Sequence, residues 1–370
     1  MHVVQALARL SVGGSELVTT ELAEHLTRHG HEVTVLGAQG PLSPRAAACG
    51  ASLLDWPVGK KRLSTLKFIG RFRSWLEKHR PDIVHAHSRL PAWVCWRAIR
   101  GMPANTRPAF ITSMHGQYTV SPYSAVMARG DAVIAVSDHI RRYTLKNYSF
   151  VDPGRLHVVH GGTSRHEFRH GYRAPEDWFE KVYETFPELA GKRWLLLPGR
   201  LSRYKGHEVF LELVAALKDE FPGVHGVIVG DSKPGSRYRA ELEGLAERNR
   251  VLDRITFTGL RDDMRNWMAS SELVFNLCSD PPEAFGRTVP EALHLGVPVL
   301  AWDHGGVHEV LEKMFPEGAV TPDSLRALET KSRKFLRTRP PVAASDDFLL
   351  EDSMDKTMHI YQAVRGGALC

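Results

Sequence analysis

Short apolar runs alternate with longer segments of helical periodicity along most of the chain. In the first half, runs rich in β-branched residues predict strands at Val3–Leu7, Glu32–Leu36, Ser52–Trp56, Asp82–Ala86, Ala109–Met114, Ala132–Val136 and Leu156–Val159. Between them, apolar residues spaced three and four apart predict helices such as Ser15–His29, Thr65–His79 and Asp138–Asn147. This alternation is typical of a parallel, doubly wound sheet.

The alternation pauses between about Gly161 and Arg193, where the chain carries no strand signal. It resumes with helices such as Lys205–Phe221 and with predicted strands at Trp194–Pro198, Val224–Val229, Arg254–Phe257, Leu273–Leu277 and Val297–Ala301. A last amphipathic helix is predicted from Asp346 to Val364. A chain of 370 residues is longer than one hydrophobic core usually supports. We therefore predict an α/β protein with two Rossmann-like, doubly wound domains, at residues 1–170 and 171–345.

Composition narrows the class of protein and its compartment. Hydrophobic residues make up 43% and charged residues 24% of the chain, which excludes disorder, collagen and coiled coil. The four cysteines lie far apart without a CxxC pair, so neither a disulfide scaffold nor a structural zinc site is expected. No apolar run approaches the roughly 18–20 residues of a membrane helix, and the N-terminus reads as a strand rather than a signal peptide. We expect a cytoplasmic protein with reduced thiols.

Positive charge is concentrated in the first half of the chain. Residues 1–165 carry 21 Lys and Arg against 10 Asp and Glu, and eight of these cations lie between Lys60 and Arg80. In that segment Leu63, Leu66, Ile69, Phe72 and Leu76 recur at helical spacing, which predicts an amphipathic helix. Its basic face is either solvated or in contact with an anionic membrane surface or a phosphorylated acceptor. No nucleic-acid-binding motif accompanies the charge, so nucleic acid is not an expected partner.

Candidate binding residues follow two strands of the first predicted domain. Ligands of such sheets bind at the carboxyl ends of the strands, and two facing sheets would place them in a cleft. Gly13 and Gly14 follow the first strand and open a helix, where backbone N–H groups favour an anion. The GxGxxG spacing is absent, so dinucleotide binding is not supported, and a plain turn capped by Ser15 explains the glycines equally well. His115 follows the predicted strand Ala109–Met114, where it either reaches a ligand or is satisfied by nearby backbone.

The second predicted domain carries cations and carboxylates at matching places. Arg200 follows a strand and Lys205 precedes the next helix, and both suit a phosphate unless they are incidental surface charges. Glu283 lies in the loop after another strand, and Glu291 falls about one turn into the following helix. The N–H groups near Arg287–Val289 favour phosphate, and one carboxylate suits a vicinal diol; the alternative is that both glutamates only complement the helix dipole. Arg261-Asp262-Asp263 is better explained by helix capping than by metal binding.

In this order, these motifs resemble retaining glycosyltransferases of the two-domain GT-B type, specifically the bacterial group called family four. The resemblance covers nearly the whole chain. It rests on Gly13-Gly14, Pro81–His87, His115, Asp131–Ser137, Arg200 with Lys205-Gly206, Glu283–Gly286 with Glu291-Ala292, Gly296–Val299, Gly305-Gly306 and Glu309. It implies two Rossmann-like domains facing across a cleft, with the C-terminal helix (residues 346–370) crossing back onto the first domain.

The resemblance also implies roles for individual residues. Glu291 should hold the ribose hydroxyls of a nucleotide-sugar, Glu283 the donor sugar, and Arg200 and Lys205 its diphosphate, while His115 lies near the sugar and acceptor. His115, Arg200, Lys205 and Glu283 form the candidate catalytic set. The candidate donor-binding set is Gly13, Gly14, Arg200, Lys205, Glu283, Ala284, Phe285, Gly286, Arg287, Thr288 and Glu291. Arg200, Lys205 and the helix N-terminus should stabilise the charge of the leaving group, so no metal or other cofactor is expected. The departing phosphate should accept the acceptor's proton, so no side-chain nucleophile is expected.

We therefore expect transfer of a hexose or N-acetylhexosamine from a nucleoside-diphosphate sugar, with UDP as the expected carrier. The basic first domain points to an anionic glycan or glycolipid acceptor, such as the lipopolysaccharide core, and to peripheral contact with the cytoplasmic face of the inner membrane. A sugar-nucleotide epimerase of the same fold and a non-catalytic nucleotide-sugar-binding protein are the alternatives. A dehydrogenase is disfavoured because the glycine fingerprint is missing.

Overall fold

Two α/β units make up the computed structural model, which describes residues 1–232 and 235–367. The first unit comprises residues 1–161 together with the chain from residue 351 onward, and the second comprises residues 162–350. Both units have a parallel sheet with Rossmann-like strand order, as the alternating pattern predicts. No helix in the described part of the chain is long and apolar enough to cross a membrane.

The first sheet contains, among the described residues, seven strands in the order β3-β2-β1-β4-β5-β6-β7. These are β1 (His2–Arg9), β2 (Glu32–Ala38), β3 (Ser52–Asp55), β4 (Ile83–Ala86), β5 (Ala109–Met114), β6 (Ala132–Ala135) and β7 (Leu156–Val158). All pairs are parallel, and Val3, Val4 and Ala6 of β1 are fully buried. Burial on both faces explains why these strands read as continuous apolar runs.

Five helices of the first unit precede residue 161 in the described chain. They are α1 (Gly14–Arg28), α2 (Ser43–Ala48), α3 (Lys67–His79), α4 (Arg89–Arg100) and α5 (Asp138–Asn147). Helix α1 begins at Gly14 with Gly13 in the capping position, so the alternative that Ser15 caps it is wrong. Ser15 instead donates a hydrogen bond of 2.7 Å to Glu16.

The basic segment differs from its predicted form at its N-terminal end. Residues Leu63–Leu66 form a 3₁₀ turn, and α3 starts only at Lys67, two residues after the predicted start. Phe72 and Leu76 are buried as the helical spacing predicts, but Leu63 is 87% exposed and Leu66 is 62% exposed. The tighter turn rotates these two leucines off the stripe that packs on the sheet. The first unit therefore presents apolar side chains beside its densest cluster of cations.

The second sheet contains, within the described chain, six parallel strands in the order β10-β9-β8-β11-β12-β13. These are β8 (Arg193–Pro198), β9 (Val224–Val229), β10 (Ile255–Gly259), β11 (Leu273–Asn276), β12 (Val299–Trp302) and β13 (Ala319–Val320). The surrounding helices are α6 (Glu176–Thr185), α7 (His207–Leu217), α8 (Tyr238–Arg248), α9 (Met264–Ala269), α10 (Thr288–His294), α11 (Gly305–Met314) and α12 (Leu325–Thr338).

The segment 162–193, where the alternating pattern pauses, belongs to the second unit. It contains α6, whose buried Trp178 lies edge-on to Trp267 with ring centroids 5.2 Å apart. Asp263 stands at the capping position of α9, but its carboxylate accepts hydrogen bonds from the indole N–H groups of Trp178 (2.5 Å) and Trp267 (3.0 Å). Asp263 opens the helix, as the capping explanation of Arg261-Asp262-Asp263 predicts, but its side chain forms no capping hydrogen bond. Its carboxylate fastens α6 to α9.

The last helix, α13 (Leu350–Arg365), returns the chain to the first sheet. It begins four residues after the predicted start, because Ser345 and Asp347 form a local turn and Phe348 has a left-handed φ of 56°. Tyr361 of α13 is fully buried and contacts Gln5 of β1 and His85 of β4. Residues 368–370 of the predicted helix lie outside the described residues.

Candidate functional site

The strand order of each sheet reverses next to its first strand. In the second unit the reversal lies between β8 and β11, which are neighbours in the sheet although β9 and β10 lie between them in the sequence. In the first unit it lies between β1 and β4. Ligands of open α/β sheets bind at such switch points, outside the carboxyl ends of the strands. The candidate residues of both units follow these strands or a neighbour.

In the second unit, Lys205 and Glu283 come from the two loops at the switch point and form an ion pair. Lys205 precedes α7, and its neighbour Gly206 has a φ of 76° and lies against Leu277, where a Cβ atom would be 2.4 Å from the Leu277 oxygen. Only glycine fits this left-handed, crowded position. The side chains of Lys205 and Glu283 are 22% and 20% exposed, so the pair is sheltered yet reachable from solvent.

The charges of this pair support each other. Burial by itself would lower the pKa of Lys205, but the attraction of Glu283 and a hydrogen bond to it raise that pKa above its ordinary value. Lys205 is therefore an ammonium at neutral pH. Burial, followed by the charge of Glu283, raises the pKa of the neighbouring Cys278 thiol to about 12, so Cys278 is protonated and a poor nucleophile.

Arg200 is the second candidate cation, and it is held differently. Its exposed guanidinium donates a 3.2 Å hydrogen bond to the hydroxyl group of Tyr204 and has no carboxylate within 4 Å among the described residues. The carbonyl oxygen of Tyr204 accepts a 2.8 Å bond from the backbone N–H of Ser279, which joins the loop after β8 to the loop after β11. Arg200 therefore carries a positive charge that no described carboxylate pairs with, and it lies on the same loop as Lys205.

The loop that carries Glu283 is fixed by close backbone packing. The carbonyl oxygen of Glu283 accepts a 2.9 Å bond from the N–H of Gly306 at the start of α11. Phe285 is buried, with its ring 5.6 Å from that of Phe348. Gly286 has a φ of 81°, and a Cβ atom there would lie 2.6 Å from Val307. The sequence Glu283-Ala284-Phe285-Gly286 therefore turns sharply and leads directly into α10.

Helix α10 holds the second carboxylate in its first turn. Glu291 is 8% exposed and lies 3.3 Å from the guanidinium of Arg287, one turn earlier. Thr288 accepts a 3.2 Å bond from the side-chain amide of Asn276 at the end of β11. The N–H of Val289 donates a 2.9 Å hydrogen bond to the carbonyl oxygen of Gly286. This N–H group is therefore already paired, which contradicts the prediction that it favours a phosphate.

In the first unit, Gly13 and Gly14 lie at the switch point after β1. Gly13 has an extended φ of −178°, and a Cβ atom added to Gly14 would meet no heavy atom within 4 Å. The backbone at Gly14 is thus open to approach. Beside it, Glu16 accepts hydrogen bonds from Ser11 (3.2 Å) and Ser15 (2.7 Å).

His115 directly follows β5 and is hydrogen-bonded to a second histidine. Its Nε2 lies 3.0 Å from Nδ1 of His87, which follows β4. The bond to a side chain contradicts the alternative in which His115 is satisfied by backbone. Burial lowers the pKa of His115 to about 4, so its ring is neutral at physiological pH.

Two residues at the candidate site of the second unit were absent from the predicted set of site residues. Tyr204 orients Arg200, and Asn276 joins β11 to α10. Asn276 is 7% exposed at the end of an otherwise apolar strand, and a polar residue in that place is a usable signal for a strand-end site. Tyr204 gives no such signal, because its role depends on the fold of the loop.

Comparison with known proteins agrees with this arrangement. Residues 12–166 match the family Glycosyltransferase Family 4, and residues 183–345 match the family Glycosyl transferases group 1. The two matches account for most of both units. The chain belongs to the glycosyltransferases with the GT-B fold. The Lys205–Glu283 pair and α10 lie in the part of this glycosyltransferase that matches group 1, and His115 lies in the part that matches family four.

Relatives of the glycosyltransferase include an enzyme of lipopolysaccharide synthesis. The lipopolysaccharide core biosynthesis mannosyltransferase LpsB of Rhizobium meliloti (strain 1021) is 25% identical over 251 residues, which are 65% of this chain and 67% of LpsB. A glycosyltransferase structure from Rickettsia africae ESF-5 has a TM-score of 0.83 at 23% identity and covers 98% of both chains. Anabaena Alr3699/HepE, crystallised with UDP and glucose, has a TM-score of 0.77 at 20% identity and covers 100% of this chain and 99% of its own.

Proposed function

We propose that this glycosyltransferase moves a hexose or N-acetylhexosamine from a UDP-sugar to an anionic glycan of the cell envelope, the lipopolysaccharide core, with retention of configuration. The observation that carries the proposal is the pairing of Lys205 with Glu283 at the switch point, on the loop that also presents Arg200. This group combines cations for a diphosphate with a carboxylate for sugar hydroxyls. The complex of HepE with UDP and glucose supports the same class of donor.

Charge development in the reaction fits these side chains. When the bond from sugar to diphosphate breaks, the sugar gains oxocarbenium character and the leaving diphosphate gains negative charge. Arg200 supplies a fork of donors and Lys205 a point charge for that anion. We propose that the leaving phosphate accepts the acceptor's proton on the same face of the sugar. No metal ion and no side-chain nucleophile are then required.

Glu283 and Glu291 are assigned separate roles in this proposal. Glu283 is 20% exposed and would accept hydrogen bonds from the donor sugar, while Lys205 turns toward the diphosphate. Glu291, held by Arg287, would accept hydrogen bonds from the two ribose hydroxyls. A carboxylate pair that divides its work in this way does not act as the acid and nucleophile of a glycosidase.

A groove in the first unit supports an anionic acceptor at a membrane surface. It has a volume of about 500 Å³, and its lining includes Lys61, Arg62, Leu66, Ile69, Trp93 and Arg97. The three cations have no carboxylate within 4 Å among the described residues. Ligand pockets commonly have volumes of about 300–1,000 Å³. The groove therefore matches a ligand that combines negative charge with apolar surface, as a glycolipid does.

The surroundings of the groove fit peripheral contact with the inner membrane. Leu63 and Leu66 project into solvent beside Lys60 and Lys61, and the guanidinium of Arg97 lies 5.6 Å from the ring of Trp93. Exposed leucines with tryptophan and basic residues are typical of protein surfaces that lie in the lipid headgroup region. The described cysteines are free thiols, which fits the cytoplasmic face.

The donor is tested by thermal shift with UDP-, GDP- and ADP-sugars, followed by transfer assays on phosphorylated and dephosphorylated core glycan. We expect a UDP-sugar to raise the melting temperature, because a ligand that binds only the native state stabilises it. Transfer should persist in EDTA, and the product should keep the anomeric configuration of the donor by NMR. A preference for GDP-sugars, an inverted product, loss of activity in EDTA, or equal rates on both acceptors would each refute the corresponding part of the proposal.

A further inference from the structure

A cluster of buried polar side chains crosses the three central strands of the first sheet. Gln5 of β1, His85 of β4 and Ser113 of β5 lie on one face, and Tyr361 of α13 covers them. His87 and His115 extend the cluster just beyond β4 and β5. The cluster is fully enclosed except at His115, since Gln5, His85, His87, Ser113 and Tyr361 are each at most 3% exposed. We call these six residues the polar chain.

The direction of each hydrogen bond in the polar chain can be worked out from Gln5. Its side-chain N–H group donates to the hydroxyl oxygen of Tyr361 at 3.0 Å. Its carbonyl oxygen therefore faces Nε2 of His87, at 2.5 Å, and can only accept. Nε2 of His87 must carry the proton. Because a neutral histidine has one proton, Nδ1 of His87 is an acceptor.

The same reasoning gives the proton positions of His115, at the end of the polar chain. Nε2 of His115 lies 3.0 Å from the bare Nδ1 of His87, so it donates and carries the proton of His115. Burial lowers the pKa of both rings, that of His87 well below 6.5 and that of His115 to about 4, which keeps each ring neutral. Nδ1 of His115 is then an acceptor. It forms no hydrogen bond with a described residue.

The hydrogen bonds from Tyr361 through His85 to Ser113 are consistent with these directions. Tyr361 accepts from Gln5, so its own proton goes to Nδ1 of His85, 2.6 Å away. His85 then carries its proton on Nε2 and donates it to Ser113 at 2.7 Å. Rotating the Gln5 amide by 180° would reverse both branches together and place the proton of His115 on Nδ1. One amide orientation thus decides the tautomer of all three histidines.

We propose that Gln5, His87 and Tyr361 are positioning residues that hold neutral His115 in the tautomer with a bare Nδ1, so that His115 accepts a hydrogen bond from a hydroxyl group of the bound sugar. The identity of that ligand rests on the proposed function, whereas the tautomer does not. A hydroxyl oxygen of the sugar is the donor atom, and no proton is transferred. The last helix of the chain thereby determines what the strand end of β5 can recognise.

The tautomers are read by NMR on the full chain labelled with ¹⁵N-histidine, using long-range ¹⁵N–¹H correlation at pH 7.5. His115→Asn identifies the signals of His115 by their disappearance. We expect His115 to show a protonated Nε2 and an unprotonated Nδ1. A protonated Nδ1 would overturn the inference and leave the proposed glycosyl transfer intact, so the two failures are distinguishable.

Two variants separate positioning from simple structural support. Tyr361→Phe removes the acceptor of the Gln5 amide, so we expect His115 to populate both tautomers and kcat/KM for the donor to fall about tenfold, the effect of one lost hydrogen bond. Gln5→Glu keeps an acceptor for Nε2 of His87, so we expect the His115 tautomer to be retained. Tyr238→Phe, which removes a buried hydroxyl from the second unit, is the matched control. An unchanged His115 tautomer in Tyr361→Phe would refute the proposal.

Discussion

Both candidate carboxylates of the second unit form an ion pair with a basic side chain. Lys205 neutralises Glu283 across two loops, and Arg287 neutralises Glu291 within one helical turn. Arg200 has no such partner among the described residues. In the proposed complex, the diphosphate would bind near Lys205 and Arg200, and Arg200 would supply the positive charge that no described carboxylate pairs with. On this proposal, the bound anion would compete with Glu283 for the ammonium of Lys205.

Lys205→Ala should abolish both the thermal shift with the UDP-sugar and turnover. The variant loses the ammonium for the leaving group and leaves Glu283 without its partner, and removing one preorganised donor of this kind lowers kcat by about 10²–10³-fold. Glu291→Ala should have the same result, because the variant lacks the carboxylate that is proposed to accept hydrogen bonds from the ribose hydroxyls. Differential scanning fluorimetry and a coupled UDP-release assay measure the two effects.

Lys181→Ala is the control for the lysine variant. Lys181 also pairs with a carboxylate, Asp177 at 3.0 Å, but both side chains are more than 60% exposed on α6. An exposed pair of this kind contributes little to stability. We expect Lys181→Ala to keep the full shift and full turnover. Wild-type behaviour of Lys205→Ala or of Glu291→Ala would contradict the site assignment.

At the scale of helices and strands, the apolar pattern predicts most of the fold. The strands Ala109–Met114 and Val224–Val229 and the helix Asp138–Asn147 begin and end where the pattern places them. The sequences suffice because continuous apolar runs mark strands buried on both faces and helical spacing marks the buried Ile140 and Thr144 of the helix. The short strand β13 was missed, since two residues carry no periodicity.

The features that the sequence pattern does not predict depend on a local turn and on contacts that form only in the folded protein. Leu63 and Leu66 have the right spacing for α3, yet a 3₁₀ turn exposes them. The Trp178 indole donates a hydrogen bond to Asp263, which joins α6, in a segment without a strand signal, to α9. Likewise, the pairing of Lys205 with Glu283 depends on strands that are neighbours only in the folded sheet. Spacing along the chain holds no information about such partners.

The turn before α3 leads to a prediction on membrane contact. Leu66→Asp should weaken binding to vesicles that contain anionic lipid, because an apolar side chain that leaves water on binding is replaced by a charge that anionic lipid repels. Burial of one leucine is worth about 1.5–3 kcal/mol, so partition should fall by at least tenfold. Co-sedimentation with vesicles at low salt measures the effect.

Leu260→Asp provides a control at equal exposure. Leu260 is 62% exposed, as Leu66 is, but it lies in the second unit and outside the basic segment. We expect this variant to bind vesicles as the wild type does. Equal losses in both variants, or binding of the wild type to neutral vesicles with the same strength, would show that the turn is not the contact surface.

At the scale of the whole molecule, the buried histidines couple stability to pH. Burial lowers the pKa of His85 to about 3, and that of His87 well below 6.5, so neither gains a proton in the folded state near neutrality. In the unfolded chain both take up protons below about pH 6.5. The unfolded state then binds more protons, and the free energy of unfolding falls as the pH decreases.

We therefore expect the melting temperature to fall between pH 7.5 and 5.5, above the range where carboxylates titrate. The loss is about 1 kcal/mol for each fully buried histidine. His85→Asn should be less stable at pH 7.5 but should show a shallower decline, since one such group is gone. Thermal unfolding at several pH values measures both slopes.

His308→Asn should change the slope in the opposite direction. A hydrogen bond to Asp303 raises the pKa of His308, so this residue stabilises the folded state once the pH is below its unfolded pKa. Its removal should steepen the decline slightly, because the side chain is 48% exposed. A shallower decline in His308→Asn, or an unchanged slope in His85→Asn, would contradict the linkage.

The contact of Tyr361 with the first sheet has a consequence for synthesis of the protein. A ribosome makes His85 276 residues before Tyr361 and Gln5 356 residues before it. While the nascent chain grows, these central strands have been made but the hydroxyl that unites them has not. The entire second unit, residues 162–350, is synthesised in that interval. The first unit is therefore begun before the second but completed after it, when α13 is synthesised.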